Sequence, residues 1–194
     1  VHYNIAYVYF KTKDYPQAIT SFQKYIDTKP TDKIRLNDAY LRMADSYYVT
    51  LKYWPALESY NKAIELNGAE ADYAFYQKAL CYGYVDRKDK KVEDLIQFQT
   101  KHPKSKYMDD AVFELANTYS ILNKNQEALA AYDKLIAENP KSIHVSKSML
   151  RQALIYFNQE KNSEALVKIK KVVADFPGTP ESLEAVSTAK VIYL

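Results

Sequence analysis

The stretch LANTYSILNKNQEALAAYDKLIAENP, residues 115–140, carries apolar and small side chains at helical spacing on either side of a short polar turn. Ala116 and Tyr119 mark its first half. Ala128, Tyr132 and Leu135 mark its second, and Pro140 closes it. Residues three and four apart share a helix face, so the stretch is predicted to form two amphipathic helices folded against each other.

The same pattern recurs along the chain. Ala is followed three residues later by Tyr at Ala6/Tyr9, Ala44/Tyr47, Ala79/Tyr82, Ala116/Tyr119 and Ala153/Tyr156, at spacings of 38, 35, 37 and 37. Twelve residues after each Ala stands Ala18, Ala56, Lys91, Ala128 or Ala165. Bulky residues follow at Phe22, Tyr60, Leu95, Tyr132 and Ile169, then Tyr25, Ala63, Phe98, Leu135 and Val172, and a breaker at Pro30, Gly68, Pro103, Pro140 or Pro177. A period of this length without strand signals means stacked helical hairpins rather than one globular core. Small residues let paired helices approach, and large ones fill the space beside them. The beat tyrosines are expected to serve packing.

These positions, with IAYVYFKTKDYPQAITSFQKYIDTKP at residues 5–30, resemble the tetratricopeptide repeat family over nearly the whole chain. The resemblance implies an all-α, right-handed α-solenoid of five hairpins plus a C-terminal helix. The units fall at about 1–32, 33–69, 70–105, 106–142 and 143–178, with a terminal helix at 179–194, as a single array within a longer chain. The turns HPKS, NPKS and FPGT are similar to those of bacterial envelope members, which implies a place in the periplasm or at the outer-membrane periphery.

Turn chemistry sets the expected helix limits. First helices are predicted at about 2–12, 34–50, 70–86, 107–121, 144–158 and 180–193, and second helices at about 15–28, 53–67, 89–102, 125–138 and 162–175. Asp14 with Gln17 and Asn123 with Gln126 have capping-box spacing, and Pro16 and Pro55 fall in first turns. Ser105 and Ser142 are expected to cap first helices, and Thr179-Pro180-Glu181 to open the last. In that last helix the small position is open between Ala189 and Lys190. Val191, Ile192 and Leu194 fit either a cap or the start of another repeat.

Composition restricts function more than it reveals it. The net charge of +3 is the difference between 27 basic and 24 acidic residues, interleaved along the chain, a balance that speaks against nucleic acid as a partner. No apolar run reaches the length of a membrane span, so direct membrane insertion is not expected. No cofactor is indicated and no metal site: His2, His102 and His144 lie in different units without a second ligand at helical spacing, and His102 and His144 are expected to be solvated. Asp109 and Asp110 belong to a first turn and do not face each other as a catalytic pair. With no phosphate loop or nucleophile elbow, no catalytic residue is assigned and an enzyme is not expected. The single cysteine, Cys81, is expected to be packed.

By resemblance, positions three before, one after and four after each anchoring Ala line a concave groove. They form a stripe of Tyr3, Tyr7 and Phe10; Leu41, Asp45 and Tyr48; Tyr76, Leu80 and Gly83; Phe113, Asn117 and Ser120; and Leu150, Leu154 and Phe157, flanked by Tyr73 and Tyr84. A solvated face should be polar, and this one is mostly aromatic and aliphatic. Two readings compete: the residues pack between neighbouring first helices, or they hold a peptide or protein segment, each ring offering roughly 150–250 Å² of contact. The family's carboxylate clamp is not expected, because its lysine position holds Tyr3, Leu41, Tyr76, Phe113 and Leu150. A structural spacer that self-associates through uncapped ends and a glycan platform are the alternatives. The third unit is irregular, with Lys91 at a small position and Gly83 in its first helix. Either Lys91 snorkels from an opened hairpin or the pair marks a functional kink.

Overall fold

A computed structural model describes residues 2–193, and Val1 and Leu194 lie outside the described residues. Eleven helices and no strand occur among the described residues. They are α1 (His2–Lys11), α2 (Tyr15–Asp27), α3 (Lys33–Val49), α4 (Tyr53–Glu65), α5 (Ala71–Tyr84), α6 (Lys88–Lys101), α7 (Met108–Ile121), α8 (Asn125–Glu138), α9 (Val145–Asn158), α10 (Asn162–Asp175) and α11 (Pro180–Tyr193). Among the described residues no helix is long and apolar enough to cross a membrane.

The Ala-to-Tyr beat builds every hairpin turn in the same way. The carbonyl of each beat tyrosine accepts a hydrogen bond from the N–H five residues on: Asp14 to Tyr9 at 2.9 Å, Lys52 to Tyr47 at 2.9 Å, Arg87 to Tyr82 at 2.8 Å, Lys124 to Tyr119 at 2.9 Å and Lys161 to Tyr156 at 3.0 Å. This is the Schellman closure of a helix, which requires a left-handed residue just before the donor. Lys13, Leu51, Asp86, Asn123 and Glu160 supply it, with φ between 58° and 63°, and none is glycine. The tyrosine rings themselves are half-buried beside the turn.

The small positions are where the helices approach. All five beat alanines and Ala18, Ala56, Ala128 and Ala165 are fully buried, as are Phe22, Tyr60, Leu95 and Tyr132, with Ile169 nearly so. Burying each such large side chain contributes about 1.5–3 kcal/mol. At the second small position of the third unit, where Lys replaces Ala, Lys91 lays its stem across Gly83: a Cβ on Gly83 would lie 3.1 Å from Lys91 Cδ. The long side chain and the missing one are therefore a local exchange of volume within one hairpin. Gly68, which closes the second unit in place of proline, sits against the Asn37 side chain, whose Nδ2 donates to the Ala63 carbonyl at 2.7 Å. A Cβ at Gly68 would collide with that amide.

The chain divides into two compact units, residues 1–105 and 106–194. In the first, α1 packs on α2, α3 on α4 and α5 on α6, with α2 on α3 and α4 on α5 joining the hairpins. In the second, α7 packs on α8 and α9 on α10, α8 joins α9, and α11 packs on both α9 and α10.

Several caps differ from expectation. Asp14 accepts from the Gln17 N–H at 3.3 Å, as its spacing predicts. Asn123, however, occupies the left-handed turn position, and Lys124 is the residue at the N-cap of α8. Ser105 and Ser142 stand two residues before the N-cap residues Tyr107 and His144, and Ser142 Oγ accepts from the His144 N–H at 3.1 Å. Their hydroxyls donate to Asp72 at 2.7 Å and Asp109 at 2.6 Å, tying each inter-repeat turn to the first turn of the preceding first helix. At α11, Thr179 Oγ1 accepts from the Ser182 N–H at 3.2 Å. Its fully buried small residue is Ala185, neither of the two positions expected from the spacing.

Candidate binding site

The first helices of the N-terminal unit are joined by a ladder of side-chain contacts. Tyr3 on α1 donates its hydroxyl to Asp38 on α3 at 2.6 Å. Arg42 binds Asp38 at 3.1 Å, Asp45 at 3.1 Å and Glu70, just before α5, at 2.5 Å. Asp45 Oδ1 accepts from Tyr60 at 2.8 Å and from Tyr73 on α5 at 3.0 Å. Burial alone would pull the Arg42 guanidinium down, but Asp38, Glu70 and Asp45 together raise it. Asp45 is itself held above the usual carboxylate range by burial, which outweighs the opposing pull of Tyr60, Arg42 and Tyr73. Burial first and Asp45 second push the Tyr60 and Tyr73 hydroxyls up, so both remain donors.

Aromatic groups flank this polar ladder. On one side Tyr3 stacks on Tyr7 with centroids 6.1 Å apart, Tyr7 meets Phe10 at 6.4 Å, and Phe10 meets Tyr15 edge-on at 6.2 Å. The Arg42 guanidinium lies 5.9 Å above the Phe10 ring. On the other side Tyr48, Tyr53 and Tyr84, from three different helices, form a cluster. Tyr53 and Tyr84 stack at 4.4 Å and 10°, and Tyr48 stands edge-on to both at 5.7 and 5.8 Å. Tyr84 is 59% exposed, so a large part of the cluster faces solvent. Burial and the neighbouring Tyr84 hydroxyl at 3.4 Å push the Tyr48 phenol up.

Not every position of the expected stripe is available to a ligand. Leu41, Tyr76 and Leu150 are only 1%, 9% and 4% exposed, so the position three before the anchoring Ala is core in the second, third and fifth units. Tyr76 packs on Phe98 at 6.1 Å. These three correct the exposed-stripe reading: a residue one turn before a fully buried Ala lies close to the hairpin seam, and here the adjoining helices cover it. Asp45 spends its oxygens on internal partners. Asn117 repeats that arrangement in the C-terminal unit, where its Oδ1 accepts from Tyr132 at 2.6 Å. Leu80, Leu154 and Phe157 are half-buried.

Phe113 stacks on His144 at 4.4 Å and 10°, and His144 Nε2 pairs with Asp110 at 2.7 Å. His102 meets Phe98 at 5.4 Å and Phe75 at 5.8 Å. Both histidines are thus packed among aromatic rings rather than solvated, because the inter-repeat turns fold them back onto the helices. Cys81 is fully buried, and burial pushes its thiol up to about 12, which removes the reactive thiolate at neutral pH.

Tyr53, Asp38 and Arg42 were not among the sequence candidates. The signal for Tyr53 was present: aromatics five residues apart across a hairpin turn occur at Phe10/Tyr15 and again at Tyr48/Tyr53, and both pairs make ring contact.

Residues 1–32, 109–142 and 147–179 match models described as tetratricopeptide repeat. No curated protein sequence matches the chain. Among solved structures, the MamA protein is 19% identical, with 92% of this chain and 94% of that chain covered and a TM-score of 0.74. YrrB, described as a tetratricopeptide repeat protein with an unusual peptide-binding site, is 16% identical, with 96% and 90% covered and a TM-score of 0.73. A tetratricopeptide repeat protein from Parabacteroides merdae is 16% identical, with 97% and 69% covered and a TM-score of 0.76. At these identities the likeness establishes the all-α solenoid fold.

Proposed function

This chain belongs to the tetratricopeptide repeat family, and we propose that it is a non-enzymatic interaction scaffold whose N-terminal unit binds a peptide or protein segment across α1, α3 and α5. The observation that carries this reading is the solvent-facing cluster of Tyr48, Tyr53 and Tyr84. Three rings from three helices hold one another in place, so a ligand meets a surface whose side-chain entropy is already spent. Aromatic rings of this kind dominate binding energy at interfaces, and phenolic hydroxyls can bond the backbone groups of an extended segment.

The ladder of Asp38, Arg42, Asp45 and Glu70 acts as the frame. Its internal ion pairs and hydrogen bonds fix α3 against α1 and α5, while Tyr7 and Phe10 on one side and the tyrosine cluster on the other supply the contacts. The peptide-binding description of YrrB, a protein of the same fold, supports the class of ligand.

The test is selection of binding peptides from a random displayed library on the whole chain, followed by titration of the selected peptides against Tyr48→Ala/Tyr84→Ala. The double variant is expected to lose binding by about a hundredfold, as for two aromatic hot-spot residues, and to keep its far-UV circular dichroism and melting midpoint close to the parent's. Peptides that bind the variant as tightly as the parent would place the interaction elsewhere.

A further inference from the structure

The five hairpin turns follow one backbone pattern, and the second departs from it in chemistry. Residues 49–54, VTLKYW, place Val49, Leu51 and Trp54 around the turn at 53%, 71% and 55% exposure. Leu51 is the left-handed residue, at φ 60°. The residues in that role in the other hairpins are Lys13, Asp86, Asn123 and Glu160, all polar. A leucine there is strained in its backbone and leaves most of its surface in water, so neither the turn nor the core accounts for it.

Charge gathers at the same edge. α1, α3 and α5 run in one direction, each reversed by its hairpin, so the first three turns lie along one edge of the N-terminal unit. The ring contact of Tyr53 with Tyr84 at 4.4 Å joins the second turn to the third. The stretches 11–17, 49–55 and 84–90 hold six basic residues, Lys11, Lys13, Lys52, Arg87, Lys88 and Lys90, against three acidic ones, Asp14, Asp86 and Asp89. Of the 27 basic and 24 acidic residues in the chain, that leaves 21 of each elsewhere, so the net charge of +3 resides on these turns. The three carboxylates are occupied: Asp14 accepts from the Gln17 N–H at 3.3 Å, Asp86 pairs with Lys88, and Asp89 pairs with Arg87. Lys52 and Arg87 stand at the N-caps of α4 and α6, neither of which has a side-chain cap. Each cation therefore adds to the positive end of a helix dipole instead of offsetting it.

We propose that this edge docks on the surface of an anionic lipid bilayer, with Val49, Leu51 and Trp54 entering the interface and the surrounding lysines meeting lipid headgroups. The contact is interfacial and not a membrane span. Apolar residues on a protruding turn suit a flat, yielding surface, whereas a shaped protein segment is held in a groove. Tryptophan favours the boundary between water and hydrocarbon, and the cations favour its negative potential.

Trp54 is the only tryptophan in the chain and reports directly on the contact. The whole chain is titrated at low salt with vesicles of phosphatidylcholine and phosphatidylserine, and with vesicles of phosphatidylcholine alone as reference. Saturable binding to the anionic vesicles is expected, about tenfold or more tighter than to the neutral ones and weakened by salt. Trp54 emission should move to shorter wavelength and be quenched by brominated acyl chains. Leu51→Ser, at an exposed position, should weaken binding about tenfold or more, and Lys13→Gln/Lys52→Gln about tenfold, with circular dichroism unchanged. Both variants keep Tyr48, Tyr53 and Tyr84, so this proposal and the peptide-binding reading fail separately. Absence of binding at about 1 mM lipid would overturn the proposal. Binding without a shift of Trp54 emission, or binding of Leu51→Ser as tight as the parent's, would place the contact elsewhere and overturn it as well. A Trp54 shift in concentrated protein without vesicles, abolished by Leu51→Ser, would assign the turn to a second copy of the chain and equally overturn it.

Discussion

Asp45 and Tyr60 offer a quantitative test of how the scaffold's interior is organised. Tyr60 is fully buried and donates to Asp45 at 2.8 Å, while Asp45 also accepts from Tyr73 at 3.0 Å and meets Arg42 at 3.1 Å. The repeats supply natural alternatives at the equivalent pair: Asn117 with Tyr132, Leu80 with Leu95, and Leu154 with Ile169. A tyrosine in the second helix occurs with a side chain that can accept its proton in the second and fourth units, and aliphatic residues occur together in the third and fifth. Asp45→Leu alone strands the buried Tyr60 hydroxyl, a loss of about 1–3 kcal/mol, and removes the Tyr73 bond, about 1 kcal/mol more. Arg42 retains Asp38 and Glu70 and so is not left unpaired, and the loss of its largely buried contact with Asp45 weighs equally on the single Asp45→Leu and the double variant, so it drops out of the coupling. Tyr60→Phe alone costs about 1 kcal/mol, because Asp45 keeps its other partners. In the double variant the buried Tyr60 hydroxyl is gone and cannot be stranded, while the Tyr73 bond to Asp45 is lost as in the single, so the loss should fall about 1–2 kcal/mol short of the sum of the singles. Urea unfolding of the four proteins, followed by circular dichroism, measures this coupling. Additivity within about 0.3 kcal/mol would refute the reasoning.

Three further outcomes follow from other features. Leu51 is exposed at φ 60°, a conformation costing a side chain about 1–2 kcal/mol, so Leu51→Gly should raise the urea midpoint by about 0.5–1 kcal/mol in stability; a lower midpoint would show that the turn carries no such strain. Gly83→Ala should gain about 1 kcal/mol of helix propensity in a Lys91→Ala background and distinctly less in the parent, where the new Cβ meets Lys91 Cδ at 3.1 Å; equal gains in thermal unfolding would remove the volume-exchange account. Because burial raises Asp45, its contribution to stability is fully present below the unfolded value near pH 4 and is lost as pH rises through the folded value. The stability of Asp45→Asn relative to the parent should therefore climb from about pH 4 upward, and a flat difference across that range would contradict the burial argument.

The hairpins were legible because the Ala-to-Tyr beat, the second small position and the closing breaker are local spacings, and helix packing acts on local spacings. The limits of α8 (Asn125–Glu138) and α10 (Asn162–Asp175) follow directly from them. Caps were less legible. Asn123 suits an N-cap and a left-handed turn equally well, and the Schellman bond to Tyr119 decides for the turn. Ser105 and Ser142 look like caps until the preceding helix brings Asp72 and Asp109 within reach. The stripe was partly legible. Spacing identifies the face of a helix, but it does not say how far neighbouring helices cover that face, which is why Leu41, Tyr76 and Leu150 are core while Tyr84 is exposed. The ladder through Arg42 was not legible, since its partners come from α3 and from the residue before α5, and no single-helix pattern records a charge balance across repeats.

The most direct test of the proposed scaffold is the affinity of library-selected peptides for the parent chain and for Tyr48→Ala/Tyr84→Ala, measured by calorimetry under identical conditions. The account predicts binding to the parent and a loss of about a hundredfold in the variant, with helix content and melting midpoint preserved. Equal affinity for the two proteins, or a variant that no longer folds, would contradict it: the first because the tyrosine cluster would not be the binding surface, the second because its rings would be core.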